Sequence, residues 1–113
     1  MRQELVSVTD RINHVLDEIE QGHFPDRRGL EATLTDGYAW ALTLDAECGR
    51  LERRISERAV HLGDDGGVDQ AHELSALARL LARRRRELDA FRGLLATLRA
   101  GIQEAQPASL SSR

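Results

Sequence analysis

The chain has 113 residues, of which 41% are hydrophobic and only 4% aromatic, and a formal net charge of −3. This length allows one small domain with a core built mainly from Leu, Ile, Val and Ala, and the acidic balance gives no overall attraction to nucleic acid or to anionic membranes. The single cysteine, Cys48, excludes an internal disulfide, and no run of about 20 apolar residues is present that could span a bilayer.

The first segment has the spacing of an amphipathic helix from about residue 2 to 21. Its apolar face consists of Leu5, Val8, Ile12, Val15, Leu16 and Ile19. Gly22 is suited to the C-cap of this helix, and Pro25 follows it. Charges recur every few positions, unlike the apolar run of a secretory signal peptide, so we expect a cytoplasmic protein. All 16 basic residues are arginine, which is typical of a GC-rich bacterial genome.

A second and longer helix is predicted from about residue 27 to 62, with Asp26 as a candidate N-cap. Its residues follow a heptad pattern whose a positions are Leu34, Ala41, Cys48, Ile55 and Leu62. The d positions are Leu30, Gly37, Leu44, Leu51 and Arg58. The sequence GDDGGVD, residues 63–69, then breaks the helix.

The strongest pattern lies in a third helix, predicted from about residue 69 to 105. One row of the heptad repeat contains Leu74, Leu81, Leu88, Leu95 and Ile102, and the second row contains Leu77, Arg84, Phe91, Leu98 and Ala105. A sustained 3.5-residue apolar period specifies a coiled-coil seam, which requires a partner helix. We expect a single helical domain over residues 1–106 and a flexible tail over residues 107–113.

The two heptad helices can be aligned as an antiparallel pair in which a positions face d positions. A turn centred near Gly66 selects the register in which Gly37 lies opposite Leu95. This register sets a small residue against a bulky one, which gives the glycine a packing role. The same register places Glu47 opposite Glu87, and this contact between like charges is evidence against the register.

The predicted fold is therefore all-α: a long antiparallel helical hairpin, a coiled coil, with a shorter N-terminal helix that forms a three-helix bundle at its base. The short connecting loop should place the first helix on the flank that carries Trp40 and Leu94. The distal half of the hairpin, about residues 46–85, would then consist of two helices alone. Leu80 lies on its uncovered flank, so we expect another helix to cover it.

Arg84 is a charged residue at a d position of the predicted seam. A buried arginine requires a carboxylate or carbonyl partner, because an unpaired charge in a core is costly. Alternatively, its aliphatic stem lies on the seam and its guanidinium reaches solvent, which is the interpretation we favour from sequence. Arg58 should reach solvent in the same way.

His61 and His72 flank the turn together with several acidic residues. Their spacing matches no established metal-ligand pattern, and the turn lacks the length and terminal Glu of a calcium loop. We therefore expect a solvated turn, with no metal and no cofactor.

The sequence contains no clustered acid, base and nucleophile, so we expect a non-enzymatic helical protein-protein interaction module, such as a scaffold, adaptor or small regulatory protein. The expected partner is a second copy or another helical protein. The candidate partner-binding residues are Leu51, Ile55, Leu77, Leu80, Leu81 and Arg84.

The alternative hypothesis is a small regulatory or nucleic-acid-associated factor that uses a basic stretch of the third helix. Its candidate residues are Arg79, Arg83, Arg85 and Arg86. Residues 83–86 are consecutive in a helix and radiate in different directions, so they cannot form one face. For this reason we expect nucleic-acid binding less than protein binding.

Overall fold

The computed structural model describes residues 2–65 and 67–105, which form three α-helices. The helices are α1 (Arg2–Glu20), α2 (Arg27–Asp65) and α3 (Val68–Ala105). The predicted all-α fold is confirmed: α2 and α3 form a long antiparallel hairpin, and α1 is the shorter N-terminal helix. α2 extends three residues beyond its predicted end. Gly66 and the predicted tail at residues 107–113 lie outside the described residues.

The end of α1 has the geometry that its glycine predicts. Gly22 has a φ of +83°, a left-handed conformation that glycine adopts without steric cost. The amide of Gly22 donates to the carbonyl of Ile19 at 3.0 Å, and the amide of His23 donates to the carbonyl of Glu18 at 2.8 Å. These two bonds form a Schellman motif, which satisfies the last carbonyls of the helix and turns the chain. The predicted C-cap is therefore confirmed.

The chain forms two compact units. Unit 1 consists of Met1–Ala41 and Ala90–Arg113, and unit 2 consists of Leu42–Asp89. Unit 1 therefore contains α1 with the first part of α2 and the last part of α3. Within the described residues, unit 2 consists of the remaining parts of α2 and α3. No helix in the part of the chain that the structure describes is long and apolar enough to cross a membrane.

All three helices contribute to the core of unit 1. Its buried apolar side chains are Val8, Ile12, Val15, Leu30, Ala41, Phe91, Leu95 and Leu98. A Cβ atom added to Gly101 would lie 3.9 Å from side-chain atoms of both Leu16 and Ile19, so α1 packs closely against this part of α3. Gly101 has the same heptad position as Leu94. α1 therefore lies on the predicted flank.

The predicted register is present in unit 1. A Cβ atom added to Gly37 would lie only 2.5 Å from Cδ2 of Leu95 and 3.6 Å from Cδ1 of Ile12. Because Leu95 is itself buried, its side chain has little room to move away. The glycine thus allows α2 to approach both α1 and α3.

The core of unit 2 is a single row of apolar contacts between two helices. α2 supplies Leu44, Cys48 and Leu51, and α3 supplies Leu77, Leu81 and Leu88, all of them buried. Near the turn, the guanidinium of Arg58 binds the carboxylate of Glu73 at 2.6 Å, with both side chains about half exposed. Arg58 therefore reaches across to α3 in addition to being accessible to solvent.

The Gly37 contact yields a stability prediction with a matched control. Gly37→Ala should lower the free energy of unfolding by about 1–2 kcal/mol, because overpacking exceeds the gain in helix propensity. Gly93→Ala should raise it by about 0.5–1 kcal/mol, because Gly93 is also helical but has open space at its Cβ position. Urea unfolding followed by circular dichroism measures both changes. Equal stabilisation by the two substitutions would contradict the close packing at Gly37.

Candidate interaction surface

Arg84 lies in unit 2 with its side chain only 15% exposed. Its Nε donates a hydrogen bond to Oε1 of Glu47 at 2.7 Å, and its Nη1 donates to Oε1 of Glu87 at 3.2 Å. The bond to Glu47 raises the pKa of the Arg84 guanidinium, although partial burial opposes this effect. The charge on the seam is therefore permanent and paired.

This arrangement corrects the interpretation that Arg84 reaches solvent. It also resolves the like-charge contact that counted against the register, since Glu47 and Glu87 are both bound by the same guanidinium. The sequence contained the signal: two glutamates face each other across the hairpin, and an arginine occupies the seam position between them. Without Arg84, the two glutamates would repel each other. With its guanidinium between them, they form one paired cluster that is compatible with the predicted register.

The six predicted partner-binding residues divide into two groups. Leu51, Leu77 and Leu81 are only 5%, 8% and 8% exposed, so they are already covered within unit 2. Ile55 and Leu80 are half-buried and retain accessible surface, whereas the Arg84 side chain is 15% exposed and already paired with two glutamates. Ile55 and Leu80 are therefore the apolar members of the predicted set that another molecule can still contact.

Leu80 lies at a heptad position that α1 covers in unit 1. Its partner across the hairpin is Arg54, by the same register that brings Glu47 and Glu87 together one heptad away. In unit 1 the heptad position of Arg54 is occupied by Thr33 of α2, and the heptad position of Leu80 is occupied by Gly101 of α3. Thr33 accepts a hydrogen bond from the guanidinium of Arg11 in α1 at 3.4 Å, and Gly101 contacts the apolar face of α1. We call Arg54, Ile55 and Leu80 the Leu80 flank.

The four arginines of the nucleic-acid hypothesis do not lie together. Arg85 binds Glu52 of α2 at 2.5 Å, and this hydrogen bond raises the pKa of Arg85. Arg79, Arg83 and Arg86 instead line one shallow groove of about 470 Å³ along α3, together with Ala76 and Ala82. We call these five residues the arginine face. Its three arginines are exposed, and none forms an ion pair within residues 2–65 and 67–105.

A second groove, of about 580 Å³, lies in unit 1 between α1 and the start of α2. Its lining includes Val6, which is 58% exposed, together with Val15 and Pro25. Arg11 borders it and binds Asp36 at 2.7 Å. Sequence reasoning missed this groove, because Val6 lies off the regular apolar face of α1.

The turn and the cysteine offer little reactive chemistry in the described residues. His61 and His72 are exposed, and no group of three or more His, Cys, Asp or Glu residues in that part of the chain is placed to hold a metal ion. The side chains of Asp64 and Asp65 lie outside what the structure describes. Cys48 is buried, and its burial raises the pKa of the thiol, an effect that nearby Arg85 partly opposes. The thiol is therefore neutral and shielded.

Comparison of the chain with protein-family models, with curated proteins and with solved structures finds no significant match.

The Arg84 cluster yields a stability prediction with a matched control. Arg84→Met should lower the free energy of unfolding by about 1–3 kcal/mol, because it leaves two half-buried carboxylates close together without their cation. Arg58→Met removes a more exposed ion pair and should cost less than about 1 kcal/mol. Chemical unfolding of both variants gives the comparison.

A second substitution isolates the electrostatic part of the Arg84 effect. Adding Glu47→Gln to Arg84→Met should recover part of the lost stability, since it removes the repulsion between Glu47 and Glu87. The account of the cluster would be contradicted by equal losses at Arg84 and Arg58, or by a further loss in the double variant.

Proposed function

We propose that this protein is a non-enzymatic helical interaction module, a scaffold, adaptor or small regulatory protein, whose unit 2 binds another helix along the Leu80 flank. The observation that carries the proposal is the composition of the two units. In unit 1, α1 covers the flank of the hairpin, whereas unit 2 contains only α2 and α3. A helix supplied by a second copy or by another protein would complete unit 2 as α1 completes unit 1.

The binding energy would come from burying the half-exposed apolar side chains of the flank. Complete burial of one leucine or isoleucine side chain stabilises by about 1.5–3 kcal/mol. Ile55 and Leu80 are already partly buried, so binding would add part of this stabilisation for each of them. The cluster of Arg84 with Glu47 and Glu87 lies one heptad away and would help to fix the alignment of an incoming helix.

The distribution of titratable groups supports an interaction role over a catalytic one. The ion pairs of unit 2 lie along the surfaces of two helices, and the cluster with the lowest exposure is that of Arg84 with Glu47 and Glu87. An enzyme site requires acids, bases or nucleophiles that converge on one enclosed pocket. The grooves of unit 2 are instead open and lined by arginine, alanine and other surface residues. We further propose a cytoplasmic location in a bacterial cell.

A nucleic-acid-associated factor is the second candidate, and the observation that favours it is the arginine face. Three guanidinium groups on one side of a helix can contact phosphates. The net charge of −3 opposes long-range attraction to a polyanion, however, and the face has no aromatic side chain for base stacking. Protein binding is therefore the better-supported proposal.

Leu80→Asp tests the proposed function directly. This substitution replaces the apolar anchor with a carboxylate that must be desolvated on binding, so the association should weaken by at least about tenfold. Val60→Asp is the matched control, because Val60 is 69% exposed and faces away from the seam at its heptad position. Light scattering measures self-association, and affinity capture from an extract of the source cells measures binding to other proteins.

The proposal predicts that Leu80→Asp abolishes an association that the wild-type protein and Val60→Asp both retain. A wild-type protein that remains strictly monomeric and captures no partner, or one whose partner is retained equally by Leu80→Asp, would contradict it.

A further inference from the structure

Away from its turn, residues 63–72, which adds Asp64, Asp65 and Asp69, unit 2 contains more arginines than carboxylates. Residues 42–62 and 73–89 contain nine arginines and seven carboxylates. Arg84 binds two of these carboxylates, while Arg85 and Arg58 each bind one. These three arginines therefore pair with four carboxylates, and the same residues contain six further arginines but only three further carboxylates. The outer surface of this part of unit 2 is therefore positive, although the whole chain is acidic.

The arginine face concentrates this charge on one side of α3. Arg79, Arg83 and Arg86 are spaced by four and three residues, so they share one face over about 10 Å of helix. Like charges at this spacing destabilise a helix by about 0.2–0.5 kcal/mol per pair. Ala76 and Ala82 line the same groove, and their small side chains leave room for close approach.

Leu80 lies at the edge of the arginine face. It follows Ala76 by four residues and precedes Arg83 by three, so the three side chains are neighbours on the surface of α3. The site thus combines a half-buried leucine, a shallow floor of alanines and three guanidinium groups that form no ion pair in the described part of the chain. An amphipathic helix with leucine or alanine along its centre and carboxylates beside it has the complementary chemistry.

We infer that the partner of unit 2 is an acidic amphipathic helix of another protein, which docks on the arginine face with Leu80 as its apolar anchor. This inference rests on the proposed function and specifies its partner. α1 provides the precedent for the apolar part of this docking, because Ile12, Leu16 and Ile19 of α1 pack against α2 and α3 near Gly37 and Gly101. Carboxylates of the partner would bind Arg79, Arg83 and Arg86.

A second copy is a poor occupant of this surface. A symmetric dimer places the same patch of both copies face to face, so three arginines of one copy would lie against three of the other. Such like-charge contacts oppose association. A nucleic acid duplex is also disfavoured, because the face spans too short a length to contact more than a few phosphates, and the rest of the chain is acidic.

The test measures the binding of a synthetic peptide to the full chain by fluorescence anisotropy. The probe is an amphipathic helical peptide of about 20 residues, with Leu and Ala along one face and Glu on both flanks, used at about 50 mM salt to limit screening. A peptide with Lys in place of Glu is the charge control. Binding of the Glu peptide but not of the Lys peptide is the expected result.

Two triple variants of this protein locate the binding surface. R79E/R83E/R86E should weaken binding of the Glu peptide by at least about tenfold, because it replaces attraction with repulsion at three contacts. R28E/R50E/R53E makes the same charge change at three exposed arginines of α2. It should change the affinity by less than about threefold, since none of these three arginines belongs to the Leu80 flank or to the arginine face. Circular dichroism confirms that both variants retain their helices, and the single R83E variant repeats the test with a smaller change.

The possible results separate this inference from the proposed function. No binding of the Glu peptide, or equal losses in the two triple variants, would overturn the acidic-helix partner. Stronger binding of a 20-base-pair DNA duplex than of the peptide, lost in R79E/R83E/R86E, would overturn it in favour of nucleic acid. Self-association that depends on Leu80 and is unaffected by the Glu peptide would overturn the partner assignment and leave the interaction function intact.

Discussion

The structure depends on the antiparallel packing of α2 against α3 in one register. Size complementarity fixes this register in unit 1, where Gly37 provides the space that Leu95 fills. Charge complementarity fixes it in unit 2, where Arg84 binds a glutamate on each helix. A change of register by one heptad would separate Gly37 from Leu95 and Arg84 from Glu47. Both penalties act on the same two helices, so the sequence specifies one alignment of the hairpin.

The two units use this shared pair of helices differently. In unit 1, α1 supplies Val8, Ile12 and Val15 to a core that also contains fully buried Leu98. Unit 2 has a single row of buried side chains and retains half-exposed Ile55 and Leu80. A two-helix unit buries less apolar surface per residue than a three-helix unit, and its flanks remain open to an additional helix. The proposed interaction function follows from this difference.

The sequence alone predicted the helices, their order and the register, because the heptad rows and Gly37 report directly on helix packing. It did not predict the partners of Arg84 and Arg85. Those depend on which of several nearby carboxylates a long side chain reaches, and Arg85 in fact binds Glu52. The sequence also grouped buried Leu77 with accessible Leu80, since both are apolar. The heptad pattern places Leu77 in the seam and Leu80 on its flank, but how completely two helices alone bury a seam residue depends on how closely they pack, which a periodic pattern does not specify.

The central claim is that unit 2 lacks the third helix that stabilises unit 1, and hydrogen exchange of the full chain followed by mass spectrometry tests it most directly. α2 and α3 each pass through both units, so each helix provides its own internal comparison. The account predicts slower amide exchange for residues 28–41 and 90–102, where α1 contributes to the core, than for residues 42–62 and 73–89. Equal protection along the whole of both helices would contradict it, because unit 2 would then need no further helix for its stability.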